Sequence, residues 1–403
     1  MAKRLVVTLP PGLGPDAALR FAQDARARGA SLLELRTDLY PEGSVDAAAL
    51  AERVELLVAE RGRLLPGAWR RAAAVVDREV AAPPDPGAGA RPLLSHHSPR
   101  PMPPEALVKH VEPLGNPASA SRLLETQRRL QQALGPGRVT VMATGPLALP
   151  FRCVLSRANE LEYVAGTPQW SAAPGQRLLE DAVREARSGA AVDRPRLGIL
   201  GSRIASSRSP RIHPQPFDRI DLPGDVGLGE LLDALLPFYA GLAVTSPFKR
   251  AAAQHVRSTL PAVNTLVRRP DGWEAHNTDV EGARAALKAL GAREVTLLGS
   301  GGAAVALQMA ADELRVSLFA LRRGEVGDGP IRGTAIWTWP AHVLTPAELR
   351  FDGARVGVIA YGPPAHAIAR DIVQRGGIPV RLGPRWLIAQ ARRQRALWAS
   401  AGI

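Results

Sequence analysis

A rhythm in the first half of the chain constrains the fold more than any other feature. Short apolar stretches recur at residues 4–9, 31–39, 55–59, 74–80, 92–97, 106–111, 138–143 and 161–165. Each has the length of a strand and is too short for a buried helix. Most are followed by segments with apolar residues three to four apart, such as 16–28, 118–134 and 177–187, which is helix periodicity. Strands alternating with helices build a parallel sheet covered by helices, and eight such strands are the number that closes a β/α barrel. Two connections break the rhythm: residues 81–91 are rich in Pro and Gly, and residues 98–105 hold four prolines. Neither can form a helix of normal length. The expected fold class is therefore α/β, with an N-terminal (β/α)8 TIM-type barrel that lacks some outer helices.

Residues 188–195 are small and polar and read as a linker. The pattern restarts with a strand at 196–200, and a second α/β unit runs to about Glu281. A strand at 294–298 then opens into Gly299-Ser300-Gly301-Gly302-Ala303-Ala304, a strand, glycine turn and helix start of the kind that receives a pyrophosphate on backbone amides. The expected domains are 1–190, 196–283 and 284–403, the last a Rossmann-type domain.

Composition narrows the function classes. The 403 residues carry a formal charge of +13, but the arginines are scattered and form no long basic block, which argues against nucleic acid as the partner. The lone cysteine, Cys153, permits no intramolecular disulfide and no cysteine-clustered zinc site. No run reaches eighteen uninterrupted apolar residues, so the expectation is a soluble, cytoplasmic protein with no membrane partner. Lysine use is the sharpest clue. Only Lys3, Lys109, Lys249 and Lys288 occur among 51 basic residues, leaving 47 arginines. Arginine neither gives up its proton near neutral pH nor forms an imine, whereas a desolvated lysine does both. A retained lysine therefore calls for a reason.

The second strand reads Leu-Glu-Leu-Arg-Thr-Asp, and period-two alternation places Glu34, Arg36 and Asp38 on one face. On a surface strand these are solvated; inside a barrel they require a ligand or mutual pairing. Val-Asp-Arg-Glu closes the fourth strand, Ser-His-His-Ser the fifth, and Val-Lys-His lies in the sixth. Taken singly, the histidine reads as structural and the lysine as solvated. In order, with Ser-Ala-Ala-Pro-Gly-Gln after the eighth strand, the set resembles type I 3-dehydroquinate dehydratase across about residues 1 to 190. The resemblance implies that Lys109 forms a Schiff base with the substrate ketone. It makes His97 the general base and then acid, and Glu79 the carboxylate that orients the histidine. Glu34, Arg36, Arg152 and Gln176 match substrate-binding positions, with Arg61 a further candidate. No metal is required, because a protonated imine is itself the electron sink. The chain departs from the family in the short His97 to Lys109 spacing, in Ala172 for a serine and in Thr144 for a methionine.

The second half contains Ser-Ser-Arg-Ser-Pro, Ala-Val-Thr-Ser-Pro-Phe-Lys, Ala-Val-Asn-Thr-Leu and His-Asn-Thr-Asp-Val-Glu-Gly ahead of the glycine turn. Individually these are ordinary turns and helix caps. Together they resemble shikimate dehydrogenase over about residues 196 to 403. By that resemblance Ser207 and Ser209 bind the substrate carboxylate, and Thr245, Asn264 and Gln390 bind the hydroxylated ring. Lys249 and Asp279 form the catalytic pair, and the C-terminal helix returns to the substrate domain. Gly299, Ser300, Gly301, Gly302 and Ala303 would hold the dinucleotide. Arg322 and Arg323, where NAD-binding folds place an acid, favour NADP, with surface charge the rival explanation. Pro214 and Ala243 replace asparagines and Trp386 a methionine. The family strand ending Asn-Ala-Thr-Pro is matched to residues 356–364, and a following strand with a substrate-facing tyrosine is missing from that match.

The resulting expectation is a fused shikimate-pathway enzyme, lyase and NADP-dependent oxidoreductase, acting on 3-dehydroquinate, 3-dehydroshikimate and shikimate. The competing readings are one active half beside a substrate-holding remnant, and an inactive sensor of pathway intermediates. Quinate competes with shikimate as the second substrate.

Overall fold

In the computed structural model the described residues are 3–79, 91–96, 106–403 apart from 118, 146, 189–195, 206, 216, 341–342 and 403, with the side chains of 79 and 91–96 excluded. The chain divides into two compact units, residues 1–198 with 202–238 and residues 199–201 with 239–403.

The first unit runs β1 (Arg4–Thr8), α1 (Pro15–Ala27), β2 (Leu32–Arg36), α2 (Ala47–Ala51), β3 (Glu55–Ala59), α3 (Gly67–Ala72), β4 (Ala73–Glu79), β5 (Arg91–His96), β6 (Leu107–Pro113), α4 (Ser119–Leu134), β7 (Val139–Thr144), α5 (Ala148–Leu155), β8 (Leu161–Ala165), the two-residue β9 (Arg177–Leu178) and α6 (Leu179–Ser188). Every expected strand of the first half appears within a few residues of its expected position. Strands β1 to β7 pair in chain order, all parallel, and β1 also pairs with β8. Between β7 and β8 the ring is closed by a side chain. The Asn159 amide accepts from Val141 N and donates to Val141 O, each at 2.9 Å, standing in for a strand residue, and Glu160 N bonds Val139 O at 2.9 Å.

Alternate residues point into the ring. Val6, Leu32, Leu57, Val75, Leu107 and Leu161 form a lower apolar layer, which fills the ring's floor without any polar group to satisfy. One step up the strands come Thr8, Glu34, Asp77, Lys109 and Tyr163, all buried, so polarity is confined to the end of the ring where the strands terminate. Outside, Ala18, Ala22 and Ala25 of α1 recur at helical spacing and are buried; their small side chains let the helix lie close on the sheet. Helices α2 and α3 are only 5 and 6 residues long. The Pro-rich connections at 81–91 and 98–105 fall almost wholly outside the described residues, as does the expected linker apart from Ser188. The segment expected as one helix from residue 177 instead starts as β9, paired to β8.

Strand β10 (Arg196–Gly201) gives its first three residues to this unit, followed by α7 (Ser209–Ile212), β11 (Phe217–Asp221) and α8 (Leu228–Leu235). A buried ion network ties them to the barrel. Arg177 meets Glu162 at 3.0 Å, Glu185 at 2.7 Å and Asp218 at 3.5 Å, and Arg196 Nε donates to Asp218 at 2.5 Å. Lys3 pairs with Glu162 on the same network.

The second unit begins with antiparallel β12 (Tyr239–Val244), β13 (Thr265–Arg269) and β14 (Gly272–His276), with α9 (Lys249–His255) after β12. Helix α10 (Asp279–Leu290) leads into a parallel sheet of β15 (Glu294–Leu298), β16 (Ser317–Leu321), β17 (Thr334–Trp337), β18 (Arg355–Val358) and β19 (Ile378–Arg381), ordered β16-β15-β17-β18-β19. Helices α11 (Gly302–Leu314), α12 (Pro363–Gln374) and α13 (Gly383–Ala399) complete it. This order corrects one sequence assignment. Residues 334–337 form β17, a strand absent from the sequence assignment, because the crossover to it from β16 is a short loop with a single 3-10 turn at Arg323–Glu325 and no longer helix. Of the matched residues 356–364, 356–358 lie in the next strand, β18, and 363–364 open α12. The terminal helix α13 packs on β13: Trp398 Nε1 donates to Leu266 O at 3.1 Å and Gln394 to Thr265 Oγ1 at 3.0 Å.

Candidate active site

The interior of the ring opens into a cavity of about 240 Å³ lined by Glu34, Arg36, Arg61, Lys109, Arg152 and Gln176, together with Tyr163 and Ala172. Six residues singled out by sequence, from five separate stretches of the first half, thus share one space. Lys109 is buried by alternation on β6 and pairs with Asp77 of β4. Arg61 Nη2 reaches the same Asp77 oxygen at 2.5 Å. Although burial works against it, the carboxylates of Asp77 and Glu34 hold the Arg61 guanidinium above its ordinary range. Glu34 accepts from Thr8 Oγ1 at 2.5 Å. The Tyr163 ring faces the Lys109 ammonium at 4.8 Å, and burial, then the charges of Asp77 and Glu34, push its phenol well up.

Arg152 differs from the other cations. Its Nε donates to Ala143 O at 2.6 Å, but Nη1 is buried with no hydrogen-bond partner among the described residues. Burial pulls its guanidinium down to about 10, still charged at neutral pH. A buried guanidinium with an idle N–H is costly unless an anion completes it, so Arg152 marks where a carboxylate fits.

Two expectations for this cavity change. Asp38 lies beyond the end of β2 and is exposed, turned back onto Arg36 in a bidentate pair at 3.0 and 2.6 Å, and it does not line the cavity. Sequence reasoning missed Asp77, the first acid of Val-Asp-Arg-Glu, although it alternates onto the same face as Glu79. His97 and the side chain of Glu79 lie outside the described residues. The backbone register does place Glu79 opposite Ser95 and Ser95 opposite Lys109.

In the first unit, Ser207 and Ser209 are buried beside each other on a tight turn, with Ser209 N donating to Ser207 Oγ at 3.3 Å. The other second-half candidates belong to the second unit. Lys249, the first residue of α9, pairs with Asp279, the first residue of α10. Trp386 of α13 donates from its indole nitrogen to the other Asp279 oxygen at 3.2 Å. A Cβ on Gly282 would lie 2.7 Å from that indole ring, so only glycine lets the ring close on the carboxylate. Asn264 is buried, accepting from Thr278 N at 2.7 Å while its Nδ2 has no partner among the described residues. Thr245 and Gln390 are half-buried.

The glycine turn meets the same lysine. A Cβ on Gly302 would come within 3.0 Å of Lys249 Cδ, so the start of α11 packs directly on the lysine stem. Gly299 has φ +127° and its Cβ would strike Thr338 Oγ1; a side chain is excluded on both counts. Ser300 and Gly301 are exposed and Ala303 half-buried, leaving backbone amides at the head of a 13-residue helix open to a phosphate. Arg322 is exposed, while Arg323 stacks over Trp339 at 5.5 Å with a buried Nε that has no hydrogen-bond partner among the described residues. These residues fit a phosphorylated dinucleotide.

Comparison with known proteins points the same way for the second half. A shikimate dehydrogenase (NADP(+)) of Hyphomonas neptunium is 37% identical over 130 residues, 28% of this chain and 48% of that protein. One from Anaeromyxobacter sp. (strain Fw109-5) is 28% identical over 254 residues, 50% of this chain and 89% of that protein. The chain resembles shikimate dehydrogenase. It spans about half the length of the first curated relatives it matches. Among solved structures, the dehydroquinate dehydratase and shikimate dehydrogenase of S. pombe AroM covers 99% of this chain and 96% of its own at 17% identity, with a TM-score of 0.36. No protein-family model matches. Among the described residues no helix is long and apolar enough to cross a membrane.

Proposed function

We propose that this chain dehydrates 3-dehydroquinate at Lys109 and reduces the product, 3-dehydroshikimate, to shikimate at Lys249 and Asp279. The observation that carries the reading is the cavity in the ring. It holds a buried amine against a buried carboxylate, beside a guanidinium with an unused N–H. Pairing alone is not the signal, since the partly buried Lys3 also pairs with Glu162 but does not line the cavity.

The chemistry follows from the neighbours. Asp77 accepts a proton from Lys109, whose free amine attacks the substrate ketone; loss of water leaves an iminium ion. The cation stays opposite Asp77, where the ammonium was. Arg152 holds the substrate carboxylate. His97 removes the proton next to the iminium carbon to give an enamine and returns it to the departing hydroxyl, and hydrolysis frees Lys109. In the second half, Lys249 donates a proton to the carbonyl oxygen as it becomes an alcohol, and Asp279, fixed by Trp386, holds that ammonium in place. Ser207 and Ser209 bind the carboxylate, and Thr245, Asn264 and Gln390 the ring hydroxyls. NADP, held by Gly299, Ser300, Gly301, Gly302 and Ala303 with Arg322 and Arg323, would supply the hydride when bound. The domain boundaries proposed for these activities are 1–190, 196–283 and 284–403, and the protein is proposed to be cytoplasmic.

The test is NADPH oxidation by the purified chain with 3-dehydroquinate as the only added substrate. Oxidation is expected. Oxidation seen only with 3-dehydroshikimate would remove the first activity; none with either substrate would remove the second, and the ultraviolet absorbance of the conjugated enone formed from 3-dehydroquinate then decides the first.

A further inference from the structure

The turn that carries Ser207 and Ser209 is held by a helix of the barrel. Arg219 of β11 donates to the carbonyl of Ser207 twice, from Nε at 3.3 Å and from Nη2 at 3.0 Å. The far side of the same guanidinium pairs with Asp181 and lies 3.2 Å from Glu180, both in the first turn of α6. Arg211, just after Ser209 and Pro210, donates to the other oxygen of Glu180 at 2.9 Å. Arg184 secures Asp181 from within α6 at 2.8 Å. Asp181, Arg219, Ser207 and Ser209 are all buried. Two carboxylates on one helical turn therefore grip the serine turn at both ends, one through a backbone carbonyl and one through Arg211, two residues after the second serine.

We propose that Glu180 and Asp181 of α6 are positioning residues for the carboxylate-binding serines of the reductase, so that its substrate affinity is set by the barrel's last helix. The proposal rests on the reading of Ser207 and Ser209 as the carboxylate site. Two hydroxyls serve a carboxylate only if the turn presents both at fixed spacing, and the Ser207 carbonyl is the handle that fixes it. A charge-assisted bond to a buried carbonyl is stronger than a neutral one and directional. Loosening it moves the hydroxyls without touching Lys249, Asp279 or the Lys109 cavity. The effect therefore belongs to substrate binding rather than to the chemical step.

The experiment uses the full chain and both assays on each variant. Asp181→Asn keeps the side-chain shape, and Glu180 still faces the arginine. The Michaelis constant for 3-dehydroshikimate is expected to rise about tenfold, with kcat and the dehydration rate within about twofold. Asp181→Glu should recover most of the loss. Glu180→Gln, at a partly exposed position, should raise the constant about threefold, and it decides the matter if Asp181→Asn fails to fold. Ser207→Ala separates the two claims. If it leaves the constant unchanged, the serine assignment is wrong and the role of α6 falls with it. If it raises the constant while neither α6 variant does, the serines stand and the positioning role is overturned.

Discussion

Lys109 and Lys249 are both paired with a carboxylate, yet their surroundings prepare them for opposite tasks. Lys109 is in the middle of a closed ring of strands, its side chain 7% exposed, with Asp77 shared between it and Arg61. Lys249 is at the start of a helix, its side chain 18% exposed, and its carboxylate is held by an indole N–H. A nucleophile must surrender its proton, and a carboxylate shared with a second cation is a weaker anchor for the ammonium than one that serves the lysine alone, while that cation repels the ammonium. A general acid must keep a proton until oxygen needs it, and a carboxylate anchored by a neutral donor holds that ammonium without competing for its charge. The same two residue types thus serve different chemistry according to what stands behind the acid.

Substitutions sharpen the contrast in descending order of effect. Lys109→Ala should lower dehydration by at least about 10⁴-fold and leave reduction intact, because the covalent route is lost. A loss of only about tenfold would mean that Lys109 is not the nucleophile. Asp279→Asn should reduce kcat for reduction by about 10² to 10⁴-fold with dehydration unaffected; equal loss in both assays would indicate unfolding rather than chemistry. Trp386→Phe keeps the ring and removes the donor, so kcat for reduction should fall about tenfold while the Michaelis constant holds. Gly282→Ala, which pushes on the indole, should show the same signature. An unchanged kcat in Trp386→Phe would show that the indole only packs.

The smallest effect concerns the ion network around Lys3, where pairing serves the fold. Burial pushes the Asp218 carboxyl up, but the Arg196 and Arg177 guanidiniums overcome it and bring it down to about 2 from an ordinary 3.8. A carboxyl whose folded pKa is depressed stabilises the protein above its unfolded pKa and stops doing so as pH falls through the folded one. That contribution, on the order of 2 kcal/mol, should therefore fade between about pH 4 and pH 2. Thermal unfolding of wild type against Asp218→Asn measures it: the gap in melting temperature should be open at pH 6 and narrow toward pH 2. A gap that does not change with pH would contradict the ion-pair origin.

The strands of the ring were legible because parallel strands buried on both faces read as short apolar runs, and period-two alternation sufficed to bring Glu34 and Arg36 to the cavity wall. Asp38 failed the same rule because β2 ends at Arg36, and alternation means nothing past a strand's end. Asp77 carried a visible signal, its alternation with Glu79, but its pairing with Lys109, 32 positions on, leaves no local trace. The Trp386 bond to Asp279 spans 107 positions and leaves no local trace. β17 was hidden because its helix-free crossover from β16 broke the strand-helix alternation on which the sequence reading relied. The closure of the ring through Asn159 was equally silent, since an asparagine in a loop reads as a turn residue until its amide is seen pairing with β7.

Imine formation at Lys109 is the step on which the proposed dehydration turns. Borohydride added to the full chain with 3-dehydroquinate, followed by peptide mass analysis, tests this directly. A reduced adduct on the peptide containing Lys109, absent without substrate and absent in Lys109→Ala, is the expected result. An unlabelled protein, or an adduct on Lys3, Lys249 or Lys288 instead, would contradict it.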